Sequence, residues 1–453
     1  MKTETKMLVL LATAVCGALQ AANPVITTLY TPDPAPVVAD GRVWLFCDHD
    51  EDDSVVFKMK DWLVFSSEDM VNWTYHGAPL SLETFAWAKK DDKAWASQAV
   101  KRNGKWYWYI CCNCDKGDAI GVAVADRPAG PWTDPIGSPL AVGASFIDPT
   151  VFVDDDDRAY LVWGNKTCQI GELNEDMISF KDGWREMPGF EDEKAFGPKL
   201  TRMNWAHGKE EPIVSYEEGP WLMKRGDTYY LSYPAGGVPE HMAYSTAPSP
   251  IGPWTYRGKI MDLAENSFTI HGGNIEYKGH SYMFYHNGKL PNGGGFKRST
   301  CIEEFTWNPD GTIPFIRQTR EGVRAVGTVD PFKRVEAETM SDSYGIKVDR
   351  TAGTHHWITR VHNGDWLKVS VVDFGAGAAR QVAARAEKVR AGGTIEFFAD
   401  GIGGKRFAAV TFAPGQSVAK ADVTEAPKGV HDVFLLFRGG DEELFDLDCW
   451  QLK

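Results

Sequence analysis

Short apolar runs separated by polar turns dominate the chain, and one arrangement of them returns five times. Each copy has a polar or proline-linked start, a few apolar residues, a polar turn and an aromatic-rich strand. The copies are Asp33–Val38 with Gly41–Phe46, Ser97–Val100 with Gly104–Tyr109, Asp148–Val153 with Asp157–Trp163, Glu218–Met223 with Gly226–Leu231, and His271–Glu276 with Gly279–Phe284. Alternation bounded by Gly and Asp reads as a β-hairpin. The turns recur at intervals of roughly 50 to 70 residues, a length that suits one four-stranded propeller blade per repeat.

A second feature falls late in most repeats. Ser66–Trp73, Asp126–Thr133, Leu173–Phe180 and Ser245–Thr255 each read as a turn reversing the chain into an outer strand. Helical periodicity is absent, so the chain reads as all-β. The acidic run Asp154–Asp157 falls where other repeats carry a hairpin turn, and reads as a solvated tip rather than a metal site. The repeat stops near Asp310–Pro314, Gly322–Pro331 reads as a linker, and from Phe332 strands such as Trp366–Val372, Thr394–Phe398 and Val433–Phe437 alternate with Gly-rich turns. The pattern predicts a five-bladed β-propeller over residues 22–325 and a β-sandwich of jelly-roll type over 332–453.

Composition narrows the partners. With 453 residues, 43% hydrophobic and 12% aromatic, the chain can bury large cores, and most of its 17 tryptophans are expected there. A few remain available to stack on sugar faces. The formal charge of -14 without a basic cluster argues against nucleic acid or anionic membrane. Lys2 and Lys6 before the apolar run Leu8–Leu19 and the small residues Ala21 and Ala22 predict a signal peptide over residues 1–21, hence export to the periplasm or beyond the cell. A lipoprotein reading through Cys16 is the weaker one, because Val15 is bulky for that position. No later stretch is apolar enough to span a membrane. Removing Cys16 leaves an odd number of cysteines with no disulfide spacing, and Cys111, Cys112 and Cys114 lack the second pair that a zinc site needs.

In a propeller the first strands converge on the axis, so Asp33, Asp148, Glu218 and His271 are expected to meet there. Glycoside hydrolysis needs two carboxyl groups flanking the scissile bond, one donating a proton and one activating water or attacking carbon. A third, ionised carboxylate raises the donor's pKa by repulsion. Asp33, Asp148 and Glu218 can fill the three roles; strand capping or a structural cation is the alternative. Glu217 competes with Glu218, and on an extended strand only one of them can face the axis.

These segments resemble a known family. Tyr30-Thr31-Pro32-Asp33-Pro34-Ala35-Pro36, Ile147-Asp148-Pro149-Thr150-Val151-Phe152 and Glu218-Gly219-Pro220-Trp221 are similar to glycoside hydrolase family 43 over residues 24 to about 325. The resemblance implies Asp33 as general base, Glu218 as general acid, Asp148 as the residue that raises and orients the acid, and inversion, with base and acid ~6.5–9.5 Å apart. It further implies His271 beside an axial cation, commonly calcium, although Ile270 stands where asparagine is common. Arg298, Trp87, Trp95 and Asn165 are implied as substrate-binding residues.

His49–Asp52, Asp69–Trp73, Trp163–Asn165 and Phe284–Asn287 most resemble the arabinoxylan arabinofuranohydrolases of that family, which remove L-arabinofuranose from xylan, a plant cell-wall polysaccharide. β-Xylosidases and arabinanases share the acids, and a non-catalytic glycan-binding propeller is the rival from another class.

Residues 332–453 resemble a family 6 carbohydrate-binding module through Val335–Glu338, Asn363–Trp366, Val372–Gly375, Gly429–Asp432 and Phe445–Asp448. The resemblance implies a structural calcium held by Glu336, Glu338 and Asp448. It does not extend to the sugar cleft: Arg360 replaces the expected aromatic, Phe412–Val418 holds no tryptophan, and Trp357 is the remaining candidate.

Overall fold

A computed structural model describes residues 22–204, 208–349, 353 and 355–453. The signal-peptide reading lies outside the described residues. Each of the five repeats opens an antiparallel sheet. Ala35–Ala39, Trp95–Arg102, Thr150–Val153, Trp221–Arg225 and Asn274–Tyr277 are the first strands, each paired with the aromatic strand that follows it. Blades two, three and four have four strands, and blade five has three.

The first strands lie side by side in chain order, and the Trp221 indole donates to the Asn274 carbonyl at 3.1 Å between blades four and five. Ala35–Ala39 packs on Asn274–Tyr277, bringing the last blade against the first. Val25 N–H donates to the Thr300 carbonyl at 2.9 Å, which ties the N-terminal segment to the last strand of blade five. The architecture is a five-bladed β-propeller followed by a β-sandwich. The regular helices described are the single turns Glu193–Phe196 and Leu82–Thr84, neither long enough to cross a membrane.

Aromatic residues fill the spaces between blades. Trp62, Trp73, Trp106, Trp108 and Trp163 are fully buried. Trp108, Phe46 and Trp132 pack edge to face between blades one and two, with centroids 4.7 and 5.1 Å from Trp108; such pairs contribute about 0.5–1.5 kcal/mol beyond area burial. The seven described cysteines are buried and unpaired. The long third interval contains an extra hairpin, Leu200–Asn204 with Lys209–Ile213, outside the blade sheets.

Two expectations change. Asp154 is buried, not a solvated tip: it accepts from Tyr229 Oη at 2.5 Å and Lys224 Nζ at 2.9 Å, joining blade three to blade four. Asp155 to Asp157 do face solvent. The supposed linker is laid onto both modules. Val326 N–H donates to Asp69 O at 2.9 Å, Val329 bridges Val372, and Val323 is buried.

The sandwich packs a sheet containing Phe445–Leu452 and Gln381–Val389 against one containing Trp366–Asp373 and Val430–Arg438. It also completes blade one: Thr339–Met340 pairs with Trp73–Tyr75 as an additional edge strand. Asn72 and Ser370 exchange hydrogen bonds at 2.9 and 2.8 Å across the junction. One apolar cluster runs from Val71 and Trp73 into Val369 and Val371.

Candidate active site

Two of the three acids precede a proline and sit in the left-handed region, Asp33 at φ 50° and Asp148 at φ 59°. Non-glycine residues adopt this conformation at a cost, and such positions cluster at functional sites. Gly219, before Pro220, has the same conformation at φ 52°, which shifts Glu218 one residue relative to the aspartates. A Cβ on Gly219 would stand 2.9 Å from His271 Nε2, so close packing as well as φ demands glycine here.

The chain therefore delivers all three acids to one pocket. Asp33, Asp148, Glu218, His271, Arg298, Thr269, Trp95, Ala96, Ile147, Met59 and Phe57 line a cavity of about 160 Å³. Asp33 and Asp148 are buried, and Glu218 is half-buried.

Asp33 is embedded among positive or polarised groups. Its Oδ1 lies 3.1 Å from Arg298 Nη1, 3.0 Å from His286 Nδ1 and 3.6 Å from His271 Nδ1. Burial alone would raise its pKa, but Arg298 and the histidines outweigh burial and hold the carboxyl well below the usual range. Arg298 is itself fixed by Asp50, whose Oδ2 accepts from Nε at 3.0 Å and whose Oδ1 accepts from Nη2 at 3.1 Å. This two-pronged grip uses the planar guanidinium fork. Burial holds His271 neutral, with its pKa lowered to about 4.

Glu218 is held differently. Its Oε2 accepts from Asn165 Nδ2 at 2.6 Å. Burial raises its pKa, with a further push from Asp33, while Asn165 and Lys166 oppose the rise. Asp148 Oδ2 accepts the Gly219 N–H at 3.2 Å, which orients the backbone beside Glu218. Burial, then the charges of Glu218 and Asp33, push the Asp148 carboxyl well above the usual carboxylate range. Neighbouring carboxyls in a dry pocket resist joint ionisation, and Asp33 is the one whose surroundings favour the charged form.

Glu217 turns away from the pocket and pairs with Lys166 at 3.0 Å and with Arg202. The two glutamates diverge as expected, although both lie before the strand Trp221–Arg225 rather than on it. Trp95 lines the pocket. Asn165 reaches the pocket through Glu218, and Trp87 does not line it. Its indole donates to Asp134 Oδ2 at 3.0 Å, and its ring covers Gly121 in blade two.

Other pocket groups carried no individual signal in the sequence. Asp50 and His286 fall inside stretches singled out only for family likeness. Asp48 is fully buried within hydrogen-bonding reach of Asp33, and burial followed by the charge of Asp33 raises it well above its usual range. Phe57, 38% exposed, forms an aromatic cluster at the rim with Phe268 and Phe296, centroids 5.9 and 4.9 Å away.

Acids in unequal environments, brought together in one small pocket, define an acid–base site suited to cleaving glycosidic bonds. Residues 21–313 match the family model of glycosyl hydrolases family 43, and residues 336–453 match that of carbohydrate binding module family 6. The chain belongs to glycosyl hydrolases family 43 and is a glycoside hydrolase. It is 31% identical to an arabinoxylan arabinofuranohydrolase of Bacillus subtilis, covering 97% of this chain and 94% of that protein. A xylosidase/arabinosidase of Bacteroides ovatus is 30% identical over 63% of this chain and 94% of its own length. A crystal structure of a Bacillus subtilis arabinoxylan arabinofuranohydrolase in complex with cellotetraose is similar with TM-score 0.80 and 29% identity, covering 96% of this chain and 99% of that one.

Proposed function

We propose that the enzyme releases L-arabinofuranose from arabinoxylan or a related pentose glycan by single displacement with inversion. Asp33, held ionised by Arg298, activates the attacking water as general base. Glu218, kept protonated by burial, donates its proton to the leaving oxygen. Asp148 orients the acid through Gly219 N–H. Water forms the new bond to the anomeric carbon, the old C–O bond breaks with its electrons going to oxygen, and Asp33 takes the proton lost by water. Trp95, Asn165, His271 and Arg298 bound the sugar site. The observation that carries this reading is the small pocket that brings together Asp33, held low by Arg298 and the histidines, and Glu218, raised by burial; its size favours a single terminal sugar over an internal stretch of polymer.

Residues 22–325 form the catalytic unit in this reading and 332–453 the accessory one, exported after removal of residues 1–21. A structural calcium at Glu336, Glu338 and Asp448 would take the place of Arg334, whose guanidinium meets Glu336 at 2.8 Å and Asp448 at 2.6 Å. Glu338 Oε2 is buried without a hydrogen-bond partner, Asp448 Oδ2 lies 3.3 Å from Arg385 Nε, and Glu336 pairs with Cys449 in adjacent strands. Calcium there would supply positive charge joining the first and last strands of the sandwich. Around His271, Asp33 Oδ1 is already met by Arg298, His286 and His271, so the guanidinium supplies positive charge where an axial cation would otherwise bring it. In the sandwich Arg360 is exposed at φ 57° and Trp357 is half-buried, which favours a structural role over sugar stacking.

Sugar release from wheat arabinoxylan by wild type and Glu218→Gln tests the proposal. Free arabinose from wild type alone supports substrate and acid together. Xylose or xylo-oligomers would move the substrate to the backbone, a reading favoured by the xylosidase/arabinosidase relative. Equal release by both proteins would remove Glu218 from the chemistry, and no release by either, on this or other pentose glycans, would favour a glycan-binding role for this pocket.

A further inference from the structure

Behind Glu218 lies a second acid that does not line the pocket. Glu240 precedes the blade-four strand His241–Ala247 and is 1% exposed. Its Oε2 accepts the Ile270 N–H at 2.9 Å, one residue before His271. Its Oε1 is buried and receives no hydrogen bond from the described residues. The Glu240 carboxyl is within hydrogen-bonding reach of Glu218.

A buried carboxylate oxygen without a donor is costly, whereas a protonated carboxyl turns that oxygen into a donor. The charged or titratable groups facing Glu240 are Glu218, Asp148, Lys166 and Arg202. The two cations are already engaged, Lys166 at 3.0 Å from Glu217 and Arg202 against the same carboxylate. Burial, then the charge of Glu218, push Glu240 well above the usual carboxylate range.

We propose that Glu240 is a positioning residue for the proton donor: as a neutral acid it donates a hydrogen bond to Glu218, fixing the pose of Glu218 and stabilising the carboxylate that remains after proton transfer. The proposal rests on Glu218 being the general acid. The proton delivered to the leaving oxygen is that of Glu218, and Glu240 keeps its own throughout.

Leaving-group dependence separates this role from simple packing. An aryl oxide leaves with little protonation, whereas an alkoxide needs the acid. Wild type, E240A, E240Q and E218Q are compared on 4-nitrophenyl and methyl α-L-arabinofuranoside. A hydrogen bond to a charged group contributes about 1.5–3 kcal/mol, so E240A is expected to lose roughly 10- to 100-fold in kcat/KM on the methyl glycoside. On the aryl glycoside the loss is expected to stay below about 3-fold. E240Q, which keeps an N–H donor, should recover most of the methyl glycoside activity with an unmoved alkaline limb of kcat/KM.

Equal losses on both substrates, no loss, or E240Q as impaired as E240A would overturn the proposal. If E240A does not fold, E240Q decides: a charged Glu240 would make its neutralisation lower the Glu218 pKa and move the alkaline limb down. An E218Q variant without leaving-group dependence would instead overturn the acid assignment itself. If wild type cleaves neither arabinofuranoside, the substrate reading fails and the corresponding xylosides carry the same comparison.

Discussion

Arg298 joins Asp33 to Asp50, with its Nη1 3.1 Å from Asp33 Oδ1 and its Nε and Nη2 on the two oxygens of Asp50. All three side chains are buried, so solvent does little to screen the pairing of Arg298 with Asp33. Because the base must be ionised, the pH at which activity fails on the acid side follows the strength of this contact.

Replacing Arg298 by alanine removes the main charge lowering Asp33. The acid limb of kcat/KM should move to higher pH, and stability should fall by roughly 3–5 kcal/mol as two buried carboxylates lose their partner. Arg298→Lys keeps the charge but not the fork and should fall between. A pH–rate profile with a urea titration of each variant measures both effects; an unmoved acid limb in the alanine variant would show that Arg298 does not set the charge of the base.

Asn165 donates to Glu218 Oε2 and thereby favours the carboxylate. In Asn165→Ala the acid should hold its proton to higher pH, so the alkaline limb of kcat/KM moves upward. An alkaline limb that stays in place or moves downward would contradict the assignment of Glu218 as the titrating acid.

His76 is half-buried beside Arg42, with Nε2 2.7 Å from Ser66 Oγ, and desolvation lowers its pKa to about 3. Between that value and the ordinary histidine pKa, the unfolded chain binds a proton that the folded chain does not. The contribution of His76 to stability therefore rises with pH across this window and is lost as pH falls through it. Urea midpoints at pH 7 and pH 5 should differ less for His76→Gln than for wild type, by up to about 1.4 kcal/mol for each pH unit; identical pH dependence would show that His76 titrates normally.

The sandwich strand Thr339–Met340 and the Asn72–Ser370 exchange make the two modules one packed body. Asn72→Ala leaves buried backbone groups of Ser370 unpaired and should cost about 1–3 kcal/mol. Ending the chain after residue 331 exposes the apolar cluster around Val71 and Trp73, and should yield aggregated or poorly folded protein. Two independent melting transitions in the full chain would argue against this coupling.

Chelation tests the calcium reading. EDTA should lower the melting temperature of wild type, and added calcium should restore it. Glu338→Gln should abolish the calcium-dependent difference; an unchanged response in that variant would place the ion elsewhere.

The repeating alternation of apolar and polar residues determined the five hairpins, because strand periodicity and turn chemistry are local. Asp33-Pro34, Asp148-Pro149 and Glu218-Gly219-Pro220 marked the three acids because each stands at the start of an inner strand. Only the tertiary structure decided what surrounds them. Arg298, Asp50, His286 and Glu240 come from segments distant in sequence, and their effect on protonation depends on burial and on ångström-scale distances. Trp87 shows the same limit from the other side: its residue type suits a sugar pocket, but the packing of blade two turns its ring onto Gly121. The attachment of Thr339–Met340 to blade one was likewise invisible in the chain, since a free sheet edge selects its partner by proximity in the folded protein rather than by any local pattern.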